Sequence, residues 1–165
     1  TRWTGDWSSD VCSSDLTMSY GRVAKYGTGW LPAGLKVEEI RQAVEQIGYE
    51  CEKQGRSLDE IDIAPQFGIC IKKTHEEAHA AYQNSQHYRH SLSLQNTTYK
   101  GKDIANYAER RIIGSPQEVA QRIQDYIDAG VTHFAALVFA GNSLEDTKEQ
   151  MHRFAEEVMP FFQKK

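Results

Sequence analysis

Between Gly114 and Pro160 the chain spells helix, strand and helix with each boundary marked, and this unit restricts the fold more than any other stretch. Ser115 is suited to cap a helix, and Pro116 sits at the first helical position, where a missing N–H costs nothing. Glu118 stands three residues after the cap, as a capping box requires. Val119, Ile123, Tyr126 and Ile127 fall on one helical face, and Gly130 can take the left-handed conformation that ends the helix. His133 to Ala140 is apolar without alternation, the pattern of a strand covered on both faces, for which a parallel sheet is the usual setting. A second helix starts at Ser143, places Leu144, Met151, Phe154, Ala155 and Val158 at helical spacing, and stops at Pro160.

The same alternation runs upstream. Ser19 to Tyr26 reads as the last turns of a helix stopped by Gly27, followed by a short strand at Thr28 to Leu31. A helix from about Lys36 to Gln54 presents Val37, Ile40, Val44, Ile47 and Cys51 on one face. After a link at Ser57 to Glu60, Ile61 to Ile71 carries a strand whose regular part begins near Gln66, because Pro65 has no N–H to give to a ladder. Thr74 caps a further helix to about Arg89. A long polar loop, about 91–111, follows, with one helical turn near Asp103 to Arg110; loops of this length in compact domains are usually lids or binding loops. Strands alternating with helices imply an α/β fold with a parallel sheet. Three parallel strands would leave both sheet edges unpaired, so the sequence reads as the C-terminal part of a larger barrel or doubly wound fold.

Thr1 to Leu16 fits none of this. It has no apolar period and repeats Ser-Ser-Asp, and Asp6 to Leu16 resembles the translation of a sequencing-library adapter. Residues 1–18 are therefore expected to be a disordered, non-native leader, an assembly scar rather than a signal peptide, whose apolar h-region is missing. The whole chain has a net charge of −4; Thr1 to Leu16 holds one Arg and three Asp, so the rest carries −2. Such mild acidity argues against a nucleic-acid footprint or an anionic membrane surface. No apolar run reaches the roughly 18 residues needed to span a bilayer. Apart from Cys12, only Cys51 and Cys70 occur, which suits two thiols in a reducing cytoplasm.

Four segments, RVAKYGTGWLPAG (Arg22 to Gly34), EKQGRSLDEIDIA (Glu52 to Ala64), IIGSPQEVAQRIQDYIDAGVTHF (Ile112 to Phe134) and FAEEVMPFF (Phe154 to Phe162), together resemble the luciferase-like flavin monooxygenase family in order and spacing. The resemblance implies a (β/α)8 TIM barrel of which residues 19–165 supply about strands six to eight. It implies an oxidoreductase using reduced FMN and oxygen on a small organic substrate, or a deazaflavin coenzyme in hydride transfer. A separate flavin reductase and a homo-oligomer are compatible with it. One departure is Thr28-Gly29-Trp30, where the family usually has Asp-Gly-Trp. A larger one is the absence of the first strands, on which the family's flavin site draws heavily; the resemblance thus also leaves room for a non-enzymatic, incomplete barrel.

In a barrel the site lies at the C-terminal ends of the strands. That places Trp30, Leu31 and Pro32, then Lys73 and Thr74, then Phe139 to Asn142 around its mouth. Trp30 could wall a flavin or an apolar substrate, or simply pack in the core. Arg110 and Arg111 could clamp a phosphate or an anionic substrate, or lie solvated. Ser115 opens a helix N-terminus that could hold an anion, although Pro116 removes a donor and Glu118 adds charge. His87, Tyr88, His90, Tyr99 and Tyr107 bring possible proton donors to the lid. His75-Glu76-Glu77-Ala78-His79 matches H-E-x-x-H, the zinc pattern, but Thr74 and Glu77 account for the same residues as a helix cap and no third ligand is evident; no metal is expected. Cys51 and Cys70 read as core thiols.

Overall fold

A computed structural model describes residues 16–93 and 107–163 of the 165-residue chain. Thus residues 1–15 of the expected leader and 94–106 of the expected lid lie outside the described residues. The first helix, α1 (Leu16–Tyr26), includes Leu16 to Met18, which the sequence reading gave to the leader.

Short strand β1 (Gly29–Trp30) leads to α2 (Val37–Lys53), whose buried stripe is Ile40, Ala43, Ile47 and Cys51. Leu58–Glu60 makes one 3-10 turn capped by Ser57 and Glu60. The next strand is split into β2 (Asp62–Ile63) and β3 (Gln66–Ile71), with the break at Ala64-Pro65. Pro65 therefore acts as expected, and the regular ladder starts at Gln66.

Parallel strands donate and accept alternately to their two edges, and β3 uses both. Gln66 N–H donates to Pro32 and its carbonyl accepts from Gly34, while on the opposite edge Ala140 N–H donates to the Ile69 carbonyl. The Asp62 to Ile71 run thus lies between β1 and β5 (Ala136–Phe139), all parallel. That is the order of successive strands in one sector of a barrel. A fourth short strand, β4 (Ile112–Gly114), extends the β1 edge beside Ile69 to Ile71. These three residues are not among the strands expected from sequence, because so short a run carries too little pattern to register as one.

The helix expected from Thr74 to Arg89 is two helices, α3 (His75–Gln83) and α4 (Gln86–Ser93). Asn84 ends the first by returning its own side-chain amide to the Ala80 carbonyl, and buried Ser85 starts the second by accepting from Tyr88 N–H. Tyr107–Arg110 forms a single 3-10 turn. In α5 (Pro116–Asp128) the expected Ser115–Glu118 box is closed. Gly130 follows with φ +102°.

The main core lies on one face of the sheet. Phe67, Ile69 and Ile71 of β3 pack with Ile40 and Ile47 of α2 and Val119, Ile123 and Tyr126 of α5. The other face holds a smaller cluster of Cys70, Tyr82 and Ala140 and is open at β5, where Val138 is 48% exposed. Hence β5 is not covered on both faces, although its sequence is apolar enough to be.

The last helix corrects the sequence reading most. In α6 (Leu144–Arg153) Leu144 and Met151 are 63% and 51% exposed, and Gln150 is the residue fully buried. A π-helical turn at Phe154–Val158 then rotates the chain so that Val158 enters the core, and Pro160 lies in the 3-10 turn after it.

Cys51 and Cys70 are both buried and unpaired. Burial pushes the Cys70 thiol up to about 11, which lowers its thiolate fraction at pH 8 by roughly two orders of magnitude relative to a free cysteine. Iodoacetamide at pH 8 is therefore expected to label Cys51 and Cys70 only after unfolding, read by peptide mass spectrometry; rapid labelling of Cys70 in the native protein contradicts this packing.

Candidate functional site

On the open face of the sheet a cleft of about 150 Å³ lies over the start of β3. Its floor is Gln66, Phe67 and Gly68, its sides are Ala33 and Gly34 after β1 and Val138 of β5, and its polar rim is His87 of α4 and Arg111. Gly68 is what makes the space: a Cβ there would lie 2.9 Å from both Arg111 Cδ and His87 Cε1. Gly34, at φ +61°, brings the other wall within reach of the Arg111 guanidinium.

The two rim side chains are tied together by a third, Tyr82, buried behind them. Arg111 Nε donates to Tyr82 Oη at 3.2 Å, Tyr82 Oη lies 3.0 Å from His87 Nδ1, and Arg111 Nη1 donates to the Arg110 carbonyl at 3.0 Å. Burial, with Arg111 and His90 adding to it, holds His87 below the ordinary histidine value, so it is neutral at pH 7. Among the described residues no acidic side chain lines the cleft.

Of the four residues expected at a cofactor, only Arg111 lines this cleft. Trp30 packs edge-on against Tyr20 of α1, ring centroids 5.7 Å apart, beside the main core. Arg110 forks onto Glu39 with bonds of 2.5 and 2.7 Å and also donates to the Gly34 carbonyl. Burial pushes the Glu39 carboxyl up, but the bonds from Arg110 and Lys36 outweigh it and hold the group below its usual value. Ser115 caps its own helix: its hydroxyl and backbone N–H both bond Glu118, whose carboxylate occupies the place an anion would take. Arg110 ends the 3-10 turn and is bound to Glu39 of α2, whereas Arg111 stands between that turn and β4 and reaches the cleft.

His75 bonds Glu118 at 2.9 Å and stacks on His79, ring centroids 4.3 Å apart. Thr74 accepts from Glu77 N–H, as a cap should. Among the described residues no group of three or more His, Cys, Asp or Glu could hold a metal. Of the lid residues, His87 reaches the cleft, Tyr88 packs near Tyr82, His90 is exposed, Tyr99 lies outside the described residues and the Tyr107 side chain is likewise not described. Tyr82 had no signal in the sequence, since a tyrosine near a helix end reads as surface until the break at Asn84 turns α4 back towards it.

The strand order and crossovers are those of a sector of an α/β barrel. The family model for luciferase-like monooxygenases matches residues 15–133, most of the chain, and the chain belongs to that family. No curated protein sequence matches it. Among solved structures it is similar to monooxygenase RslO1 from Streptomyces bottropensis, with TM-score 0.72 and 20% identity over 92% of this chain and 47% of that one. It is also similar to the coenzyme F420-dependent tetrahydromethanopterin reductase from Methanopyrus kandleri, with TM-score 0.63 and 22% identity over 89% and 49%. A third is riboflavin lyase RcaE, solved with modified FMN and riboflavin, with TM-score 0.58 and 17% identity over 87% and 40%. At these identities the likeness speaks for the fold. The chain spans half or less of each of these structures. Among the described residues no helix is long and apolar enough to cross a membrane.

Proposed function

We propose that the chain serves as part of a flavin-dependent oxidoreductase that uses reduced FMN and oxygen on a small organic substrate in the cytoplasm. Family membership supports the redox class, and the observation that carries the reading is the cleft on the open sheet face, walled by apolar groups and rimmed by Arg111 and His87. The fit to a flavin is partial. Ligand pockets usually measure about 300–1,000 Å³, so this cleft takes the end of a ligand and not a three-ring isoalloxazine. The donor set suits an anionic end group. Reduced flavin supplies the electrons when bound. The chain's own part is to orient: Arg111 fixes a negative group, neutral His87 offers a hydrogen bond beside it, and Ala33 and Val138 exclude water from one side. A separate reductase supplying the reduced flavin, and association of copies of the chain, complete this reading.

A second reading replaces FMN with a deazaflavin coenzyme and oxygenation with hydride transfer. It is favoured by the similarity to an F420-dependent reductase of the same fold.

Both are tested by titrating the protein anaerobically with reduced FMN and with reduced deazaflavin, following fluorescence, and then admitting oxygen with a panel of small organic acids. The first reading expects saturable FMN binding and substrate-dependent oxygen uptake. Turnover of the deazaflavin alone selects the second. Binding of neither, with self-association of the chain, overturns both and leaves an incomplete, non-enzymatic barrel.

A further inference from the structure

We propose that the cleft is an oxyanion subsite, in which the Arg111 guanidinium and the Nε2 side of His87 hold the terminal carboxylate or phosphate of a small ligand, with Tyr82 as their positioning residue. Arg111 is the first ground. Arg56, Arg110 and Arg153 each pair with a carboxylate, whereas Arg111 has none among the described residues and directs its bonds to a hydroxyl and a carbonyl. A guanidinium so held keeps donors over for a ligand, and its fork matches the two oxygens of a carboxylate or phosphate.

His87 is the second. A hydroxyl that accepts from Arg111 Nε can donate its one proton to His87 Nδ1, which leaves the imidazole proton on Nε2. Nε2 would lie 3.2 Å from a Cβ at Gly68, on the cleft side, and it has no partner among the described residues. Two donors of different residues therefore converge over a glycine floor, in a space sized for an end group and lined by no acidic side chain among the described residues. Gly68 belongs to the same device, since any side chain there would displace both donors.

The inference rests on the redox reading only in treating the ligand as substrate or cofactor; the binding itself needs no electron transfer. Isothermal titration at low salt with sodium benzoate and with inorganic phosphate, chloride as control, is expected to give saturable binding in the millimolar range, about 4 kcal/mol by the affinity scale. Arg111→Met should weaken it about tenfold or more, while Arg41→Met, at an exposed cation that pairs with Glu38 and does not line the cleft, should leave it unchanged. Tyr82→Phe should lower affinity less and shift the His87 tautomer balance, read by ¹⁵N NMR of the ring, which a purely structural role would not move. If Arg111→Met does not fold, titration of the His87 Nε2 resonance in the unaltered protein decides: a saturable shift with benzoate or phosphate, absent with chloride, supports the subsite. Saturation by benzoate alone identifies a carboxylated substrate. Saturation by phosphate that competes with FMN but not with riboflavin identifies the cofactor's phosphate. No saturable binding of either probe, or equal weakening by Arg41→Met, overturns the proposal. A protein that binds benzoate yet oxidises no flavin loses the redox reading alone.

Discussion

Tyr126→Ala is expected to remove about 3–5 kcal/mol of stability, a large share of the roughly 5–15 kcal/mol that holds a domain folded. The ring is fully buried, lies 4.3 Å from Phe67 at centroid distance and meets Phe134 edge-on at 6.5 Å. Its hydroxyl donates to the Leu35 carbonyl at 2.8 Å. Alanine therefore opens a cavity between α5 and β3 and strands a carbonyl in the segment leading into α2. Tyr126→Phe keeps the ring and is expected to cost only about 1 kcal/mol. Burial pushes the phenol far above its ordinary range, so it stays protonated until alkali unfolds the chain. Urea unfolding checks both variants: the midpoint should fall steeply for alanine and slightly for phenylalanine at similar slope. Equal midpoints for the two would refute the packing described for this ring.

Gln150→Leu is expected to cost about 2–4 kcal/mol, the penalty for leaving buried backbone groups unpaired. Gln150 has 0% exposure. Its Oε1 accepts from Ile71 N–H at 3.1 Å, and its Nε2 donates to the Ala140 carbonyl at 3.2 Å. It thus completes the ladder where β3 outruns β5, standing in for the next strand residue. Leucine has the right size and apolarity for the core, so a hydrophobic reading of α6 predicts stabilisation and the hydrogen-bond reading predicts loss. Met151→Ala, at the exposed neighbour, should change stability by no more than about 0.5 kcal/mol. Parallel thermal melts of the two variants separate these cases.

Much of the backbone was legible because its boundaries depend on single residues with one physical role. Pro65 cannot donate, and the ladder begins at Gln66; Ser115, Pro116 and Glu118 begin α5, and Gly130 follows its end. Spacing was less informative about facing. Leu144 and Met151 sit at helical intervals yet lie outside, because the partner of α6 is the end of a ladder and what is needed there is an amide. The cleft was half visible. Arg111 was chosen with Arg110, and nothing in a dipeptide says which of two adjacent arginines meets Glu39. Tyr82 and Gly68 were unreadable, since their roles depend on α4 folding back over β3 after the break at Asn84.

The double engagement of β3 also sets an order in time. On one edge the partners of Gln66, Pro32 and Gly34, precede it and β4 follows, but on the other edge Gln66 pairs with Ala136, seventy residues later. At about 5–20 residues per second of synthesis, the strand emerges roughly 4–14 s before its second neighbour exists. Through that interval it carries buried-type side chains and one open row of backbone groups, so the nascent chain passes through a sticky stage that the finished ladder hides. Closing so long a loop is slow as well as late, which makes docking of β5 the event that ends the chain's dependence on whatever shields it.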